Sequence, residues 1–153
     1  GPADVTLPVG GVPRRFYTYA ARGASFTEPP RDDGTIAPTG AGGSIAFAPE
    51  IVIPALYAMR QRYGDDLFGQ YGFLDAFNPT WQFAGQPLHH GRMVPGKGWF
   101  DTDYLGIDQG PIVVMIENWR TGLLWRLFMS CPEVQEGLRR LGFTSPWLQA
   151  PAA

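Results

Sequence analysis

Only one cysteine, Cys131, occurs in 153 residues. No intrachain disulfide can form, and cysteine usage does not separate cytoplasm from periplasm. An excess of basic charge is also missing, since 12 Lys and Arg stand against 14 Asp and Glu for a formal charge of −2. Without a basic field the chain has nothing to hold nucleic acid or an anionic membrane, and both are set aside as partners. No apolar run reaches the ~18 residues that cross a bilayer. The chain opens Gly1-Pro2 with no Met, charged leader or apolar leader segment. That start is expected of a processed chain or a piece of a longer one, and it leaves the parent's compartment open.

Turns and rings are plentiful instead. Gly (20) and Pro (15) imply long shaped loops between few regular elements, and aromatics reach 14%. A hydrophobic content of 44% is enough for a core at this length, and 153 residues suit one domain.

Residues 1–48 carry one short extended candidate near Arg15 to Ala21 and no expected helix. The stretch 31–50, "RDDGTIAPTGAGGSIAFAPE", reads as a Gly-rich loop. A helix is expected from about Pro49 to Tyr63, with Pro49 in the first turn and Gly64 as the stop. Ile53, Leu56, Tyr57 and Met59 form its expected apolar face, and Pro54 removes one backbone donor inside it. Residues 64–107 make a long connection with one helical turn near Asp65 to Gln70. Loops of that length usually have a task such as lining a site. A second helix is expected from about Gln109 to Ser130, ~30 Å long at 1.5 Å per residue. A short amphipathic helix follows, starting at Pro132 and stopping at Gly142. The tail over 144–153 reads as loose.

The second helix poses the sharpest question. Ile112, Met115, Ile116, Trp119, Leu123 and Leu127 keep helical spacing, while Val113, Val114, Leu124 and Phe128 fill the other faces. A helix apolar all round needs covering on most sides, and this chain offers too few partners. The expectation is one end of a larger helical domain. Glu117, inside that apolar segment, has Arg120 at i+3 and Thr121 at i+4 as local partners, which makes a paired structural carboxylate the plainest reading. Asp108 stands where an N-cap belongs. There the helix dipole holds a carboxylate ionised, which suits a base or charge stabiliser better than a general acid. Gly106 and Gly110 flank it without side chains, and Gln109 beside it can meet a hydroxyl.

"GSIAFAPEIVIPAL" (43–56), "YGFLDAFNP" (71–79) and "DYLGIDQGPIVVMIENWRTGLLW" (103–125) occur in that order. Together they resemble the C-terminal part of the glucoamylase-like glycoside hydrolase family. That family takes in bacterial endo-β-1,2-glucanases and the transglycosylating domain of cyclic β-1,2-glucan synthases. The resemblance runs from about Tyr17 to Phe143. It implies an all-α fold, the C-terminal portion of an (α/α)6 toroid with long Gly/Pro-rich loops, in which residues 1–153 make one partial domain. It implies an oligo- or polysaccharide substrate, the N-terminal remainder of the same domain as partner, no cofactor, and a periplasmic or secreted parent. The family's acidic positions fall on Asp33, Glu50, Asp108 and Glu117. Two carboxyl groups are needed for glycoside hydrolysis. Asp108 is the first choice for the base, Glu50 the second for either role, and the acid is expected upstream of this chain.

Loop aromatics among polar neighbours suit pyranose rings, so Trp81, Trp99 and Tyr104 join Asp33, Asp103 and Gln109 as substrate-binding candidates. The bland alternative for the tryptophans is that they fold back on the core. His89-His90 lacks further ligands at metal spacing, Cys131 lacks the setting of a catalytic thiol, and "GAGGS" (40–44) lacks the Lys-Ser/Thr of a phosphate loop. The expected function is hydrolysis of β-1,2-glucan or a related β-glucan. Cyclising transglycosylation and a non-catalytic carbohydrate-binding module are the alternatives.

Overall fold

The computed structural model describes residues 5–9, 11–16, 33–83, 85, 88–146 and 148. Strands β1 (Val5–Val9) and β2 (Val12–Phe16) pair antiparallel, with Val5 opposite Phe16 and Val9 opposite Val12. The extended reading near Arg15 is thus met as far as Phe16, and 17–21 lie outside the described residues. Helix α1 (Pro38–Gly43) occupies the stretch read as a Gly-rich loop. Its Pro at the first turn suits the entry, and Gly42 lets it lie against the next long helix but one: a Cβ there would come 3.0 Å from Ile112 Cγ1.

Helix α2 (Pro49–Tyr63) has the expected bounds. Its buried face differs from the expected one. Val52 and Tyr63 are buried and Met59 packs on the core, whereas Ile53 and Tyr57 are exposed. The reason lies in what α2 packs on, since the loop module that follows meets its C-terminal end and leaves the other apolar face uncovered.

After a 3-10 turn at Gly64–Asp66 the long connection is built of hairpins. β3 (Phe68–Gly69) pairs with β4 (Gly72–Phe73), and β5 (Phe77–Asn78), β7 (Gly98–Phe100) and β6 (Arg92–Val94) form a three-stranded sheet in the order β5-β7-β6. Phe77 stands opposite Phe100, and Arg92 faces Phe100 from the other edge. Gly98 (φ 116°) is required here, because a Cβ would collide with the carbonyl oxygen of Asn78. The all-α expectation is corrected on this point. The strands of the loop module have two or three residues each, too short to display period-two alternation, and β5 finds its partner β7 some twenty residues away.

The core sits in this module. Tyr63, Leu67, Leu74, Phe77 and Phe100 form one cluster, and Phe16, Ala76, Trp81 and Trp99 the other. Asn78 is buried with every polar atom engaged. Its Nδ2 donates to Asp33 O (2.8 Å) and Thr35 Oγ1 (3.1 Å), and its Oδ1 accepts from Thr80 N and Thr80 Oγ1.

The expected helix over 109–130 is two helices, α3 (Gly106–Thr121) and α4 (Leu123–Met129). Leu105 is the N-cap, and its carbonyl accepts from Asp108 N (3.0 Å) and Gln109 N (2.9 Å). Asp108 therefore sits within the first turn of the helix, its third residue, rather than capping it. The break is at Gly122, left-handed at φ 66° and ψ 14°, whose N–H reaches Asn118 O at 2.7 Å. Such a glycine ends a helix because an L side chain is disfavoured in that conformation. The buried Asn118 side chain spans the break, its Oδ1 accepting from Trp125 N at 3.1 Å. Helix α5 (Pro132–Arg140) follows as expected.

Most of the apolar surface of α3 and α4 is uncovered in this chain. Ile107, Val113, Val114, Trp119, Leu127 and Phe128 are exposed, Val113 to 70%. Glu117 is not buried either. Its carboxylate lies 3.8 Å from Arg120 Nη1 and accepts the Thr121 hydroxyl at 2.9 Å, so the pairing holds while the burial does not. No described helix is long and apolar enough to cross a membrane.

Candidate active site

Residues 73–77 are held from three sides. Leu74 N donates to Leu67 O (2.9 Å), Asp75 N to Asp103 O (3.2 Å), and Ala76 O accepts from Asp101 N (2.9 Å). Thr39 of α1 adds a hydroxyl contact to Asp75 O at 3.5 Å. The bend between β4 and β5 that carries Asp75 is thus zipped to residues 101–103. Gln109 then ties α3 to the end of β4, its Nε2 donating to Phe73 O at 2.8 Å.

These bonds bring the first turn of α3 against Asp75, so that the carboxyl groups of Asp75 and Asp108 come within reach of each other and act on each other's ionisation. Asp75 titrates at about 6, raised first by burial, then by the charge of Asp108 and their shared hydrogen bond, and further by Asp101 and Asp103. Two like charges in one partly buried site cannot both ionise cheaply.

Asp75 is the residue that sequence reasoning missed. Its signal was present in "FLDAF" (73–77), a lone carboxylate between four apolar residues, a setting that costs free energy unless the charge is shared or neutralised.

The other candidates divide. Asp103 lies near the pair through the 75–103 backbone bond, and its Oδ2 is 3.6 Å from His90 Nδ1. Tyr104 packs edge-on to Tyr71 with centroids 5.4 Å apart, and its hydroxyl fills the space over Gly69. Tyr71, 70% exposed on the β3–β4 turn, extends that aromatic shelf and was also missed. The amide nitrogen of Gln109 is committed to Phe73, leaving its Oε1 beside Gly72.

Trp81 and Trp99 are core residues, which corrects their reading as sugar contacts. Trp81 stacks on Phe16 (4.3 Å), and Trp99 is fully buried with Nε1 donating to His90 O at 3.0 Å. Asp33 closes a local turn by accepting from Thr35 N (3.1 Å). Glu50 is exposed in the first turn of α2, and nothing among the described residues brings it to the pair. No group of three His, Cys, Asp or Glu suited to a metal occurs among the described residues.

The Asp75–Asp108 carboxyl pair and the Tyr71–Tyr104 ring pair lie on neighbouring segments, the β3–β4 hairpin region and the start of α3. Residues 6–132 match the family model described as "Putative glucoamylase", and the chain belongs to that glucoamylase-like family. It is 42% identical over 113 residues to the exo beta-1,2-glucooligosaccharide sophorohydrolase (non-reducing end) of Parabacteroides distasonis, covering 74% of this chain and 14% of that protein. The endo-beta-1,2-glucanase of Chitinophaga pinensis, solved with sophorotriose and glucose, is 44% identical with a TM-score of 0.63, over 85% of this chain and 27% of that one. A beta-1,2-glucanase structure from Parabacteroides distasonis is 41% identical with a TM-score of 0.57, over 72% of this chain and 14% of that one. The chain therefore spans between 14% and 27% of the length of these relatives.

Proposed function

We propose that this chain is the C-terminal part of an (α/α)6 glycoside hydrolase domain that cleaves β-1,2-glucan or a related β-glucan, and that Asp108, backed by Asp75, supplies its general base. The observation that carries the reading is the approach of Asp108 to the partly buried Asp75, whose carboxyl is pushed up to about 6. A base poised there takes up a proton more readily than a lone carboxylate while remaining ionised near neutrality. The names of the relatives supply the β-1,2 linkage.

Retaining enzymes hold their two carboxyl groups ~5–5.5 Å apart and inverting ones ~6.5–9.5 Å, and the closeness of Asp75 and Asp108 favours taking the second carboxyl from elsewhere in the domain. The acid belongs across the cleft, on the remainder of the domain. That remainder also gives the exposed apolar faces of α2, α3 and α4 something to pack against. In this arrangement Tyr71 and Tyr104 offer ring faces to a pyranose, and Asp103 accepts from its hydroxyls.

The test uses the complete protein with linear β-1,2-glucan. Linear oligosaccharides are the expected products, rings would instead place it with the cyclising transglycosylases, and binding without turnover would make it a carbohydrate-binding module. Asp108→Asn is expected to leave folding and glucan binding intact and to lower turnover by at least ~100-fold, the low end for losing acid–base help. Near-normal turnover in that variant would remove Asp108 from the chemistry.

A further inference from the structure

Asp101 is among the most buried polar residues described, with 1% of its surface exposed. It follows directly on β7 and performs three tasks. Its backbone N–H donates to Ala76 O at 2.9 Å, beside the residue that carries the raised carboxyl. Its Oδ1 accepts from Thr102 N (2.7 Å) and Asp103 N (3.3 Å), folding a tight turn. That turn aims Asp103 O at Asp75 N, the bond that fixes Asp75. Its other oxygen, Oδ2, is buried and accepts no hydrogen bond among the described residues.

A turn needs only Oδ1. Asparagine closes such a turn as well as aspartate, and serine or threonine more weakly, so a buried carboxylate with an idle oxygen is more than local geometry demands. A buried acceptor left without a donor is costly, and what it adds is negative charge. We propose that Asp101 is a positioning residue for the Asp75–Asp108 pair, pinning the segment under Asp75 while holding a further negative charge beside it.

The inference rests on reading the pair as the base. The charged groups around Asp75 are Asp108 from α3, and Asp101 and Asp103 from the segment after β7; all three raise Asp75, after burial. His90 acts on Asp101 in the opposite sense, and burial raises the Asp101 carboxyl itself. The two turn amides favour the ionised form of Asp101, which is the form that acts on Asp75.

The experiment is a carboxyl-carbon NMR titration of Asp75 in the complete protein, together with the pH profile of kcat/KM. Asp101→Asn keeps an Oδ1 for the turn and removes the charge. The Asp75 midpoint and the limb of the profile near pH 6 are expected to move down together by ~0.5 unit or more, with the melting temperature little changed. Asp101→Ser, which also keeps an acceptor at the turn, is expected to give the same shift if the Asn variant folds poorly. An unmoved midpoint in a folded variant would reduce Asp101 to a turn former and overturn the proposal. Asp75→Asn separates this failure from failure of the underlying reading. If that variant removes the limb while Asp101 variants leave it in place, only the Asp101 proposal falls. If it leaves the limb untouched, the pair is not the base.

Discussion

Asp75 illustrates how one partly buried residue is set against stability. Its carboxyl holds a proton more tightly in the folded chain, at about 6 against an ordinary value of 3.8. Between about pH 4 and 6 the native state therefore binds more protons than the unfolded one, and stability from this group falls as pH rises through that window and stays low above it. Asp75→Asn removes the effect. Urea unfolding is expected to show the variant more stable than the parent at pH 7, by on the order of 1–3 kcal/mol, with the advantage gone at pH 4. An equal difference at both pH values would mean that Asp75 is not the group involved. Glu117 lies at the other extreme. With its carboxylate solvated and paired only to Arg120 and Thr121, Glu117→Gln is expected to change the stability of this chain by less than ~0.5 kcal/mol, read from the same unfolding curves. The sequence suggested the pairing of Glu117 through its i+3 and i+4 neighbours, but its exposure depends on which helices lie beside it. Asp108 was recognisable from its helix-mouth position, and Asp75 only from the oddness of a lone acid in an apolar run.

At the scale of elements, legibility follows length. Helices α2 and α5 were readable because proline at the first turn and glycine at the end bracket a run long enough to be periodic. The strands of the loop module were not, since β3 meets β4 and β5 meets β7 through ring contacts, Phe68 on Phe73 and Phe77 on Phe100 with Tyr63 against both, which no local pattern announces. The Trp81 and Trp99 expectation failed for the same reason, as the sheet that buries them was invisible. Gly122 was a readable stop signal overridden by the apolar run on both sides of it. Substituting it tests the break. Gly122→Ala places a side chain at φ 66° and is expected to cost ~1 kcal/mol, measured by thermal unfolding. Gly98→Ala should cost far more and unfold the β5–β7 pair, because the new Cβ meets the Asn78 backbone and not a flexible side chain. A Gly98→Ala chain as stable as the parent would contradict the described packing of the sheet.

The whole molecule is a core of hairpins carrying helices whose apolar faces look outward. Exposed contiguous apolar surface of this kind marks an interface or an aggregation hazard. The chain on its own is accordingly expected to bind an apolar dye, self-associate, or melt low. A monomer with a sharp transition above ~60 °C, high for an ordinary domain, would mean that these faces need no cover. Joined to the rest of its domain, the chain is read as contributing the base and part of the sugar shelf, with the acid across the cleft. The central claim is that Asp75 and Asp108 share a proton and act together as that base, and the pH profile of kcat/KM on β-1,2-glucan in the complete protein tests it most directly. The account predicts activity rising with pH through about 6 as the pair loses its shared proton, with the rise displaced toward the ordinary carboxylate range in Asp75→Asn. Activity that instead falls as pH rises through 6 would make the pair the proton donor, and a profile unchanged by Asp75→Asn would remove the pair from the reaction altogether.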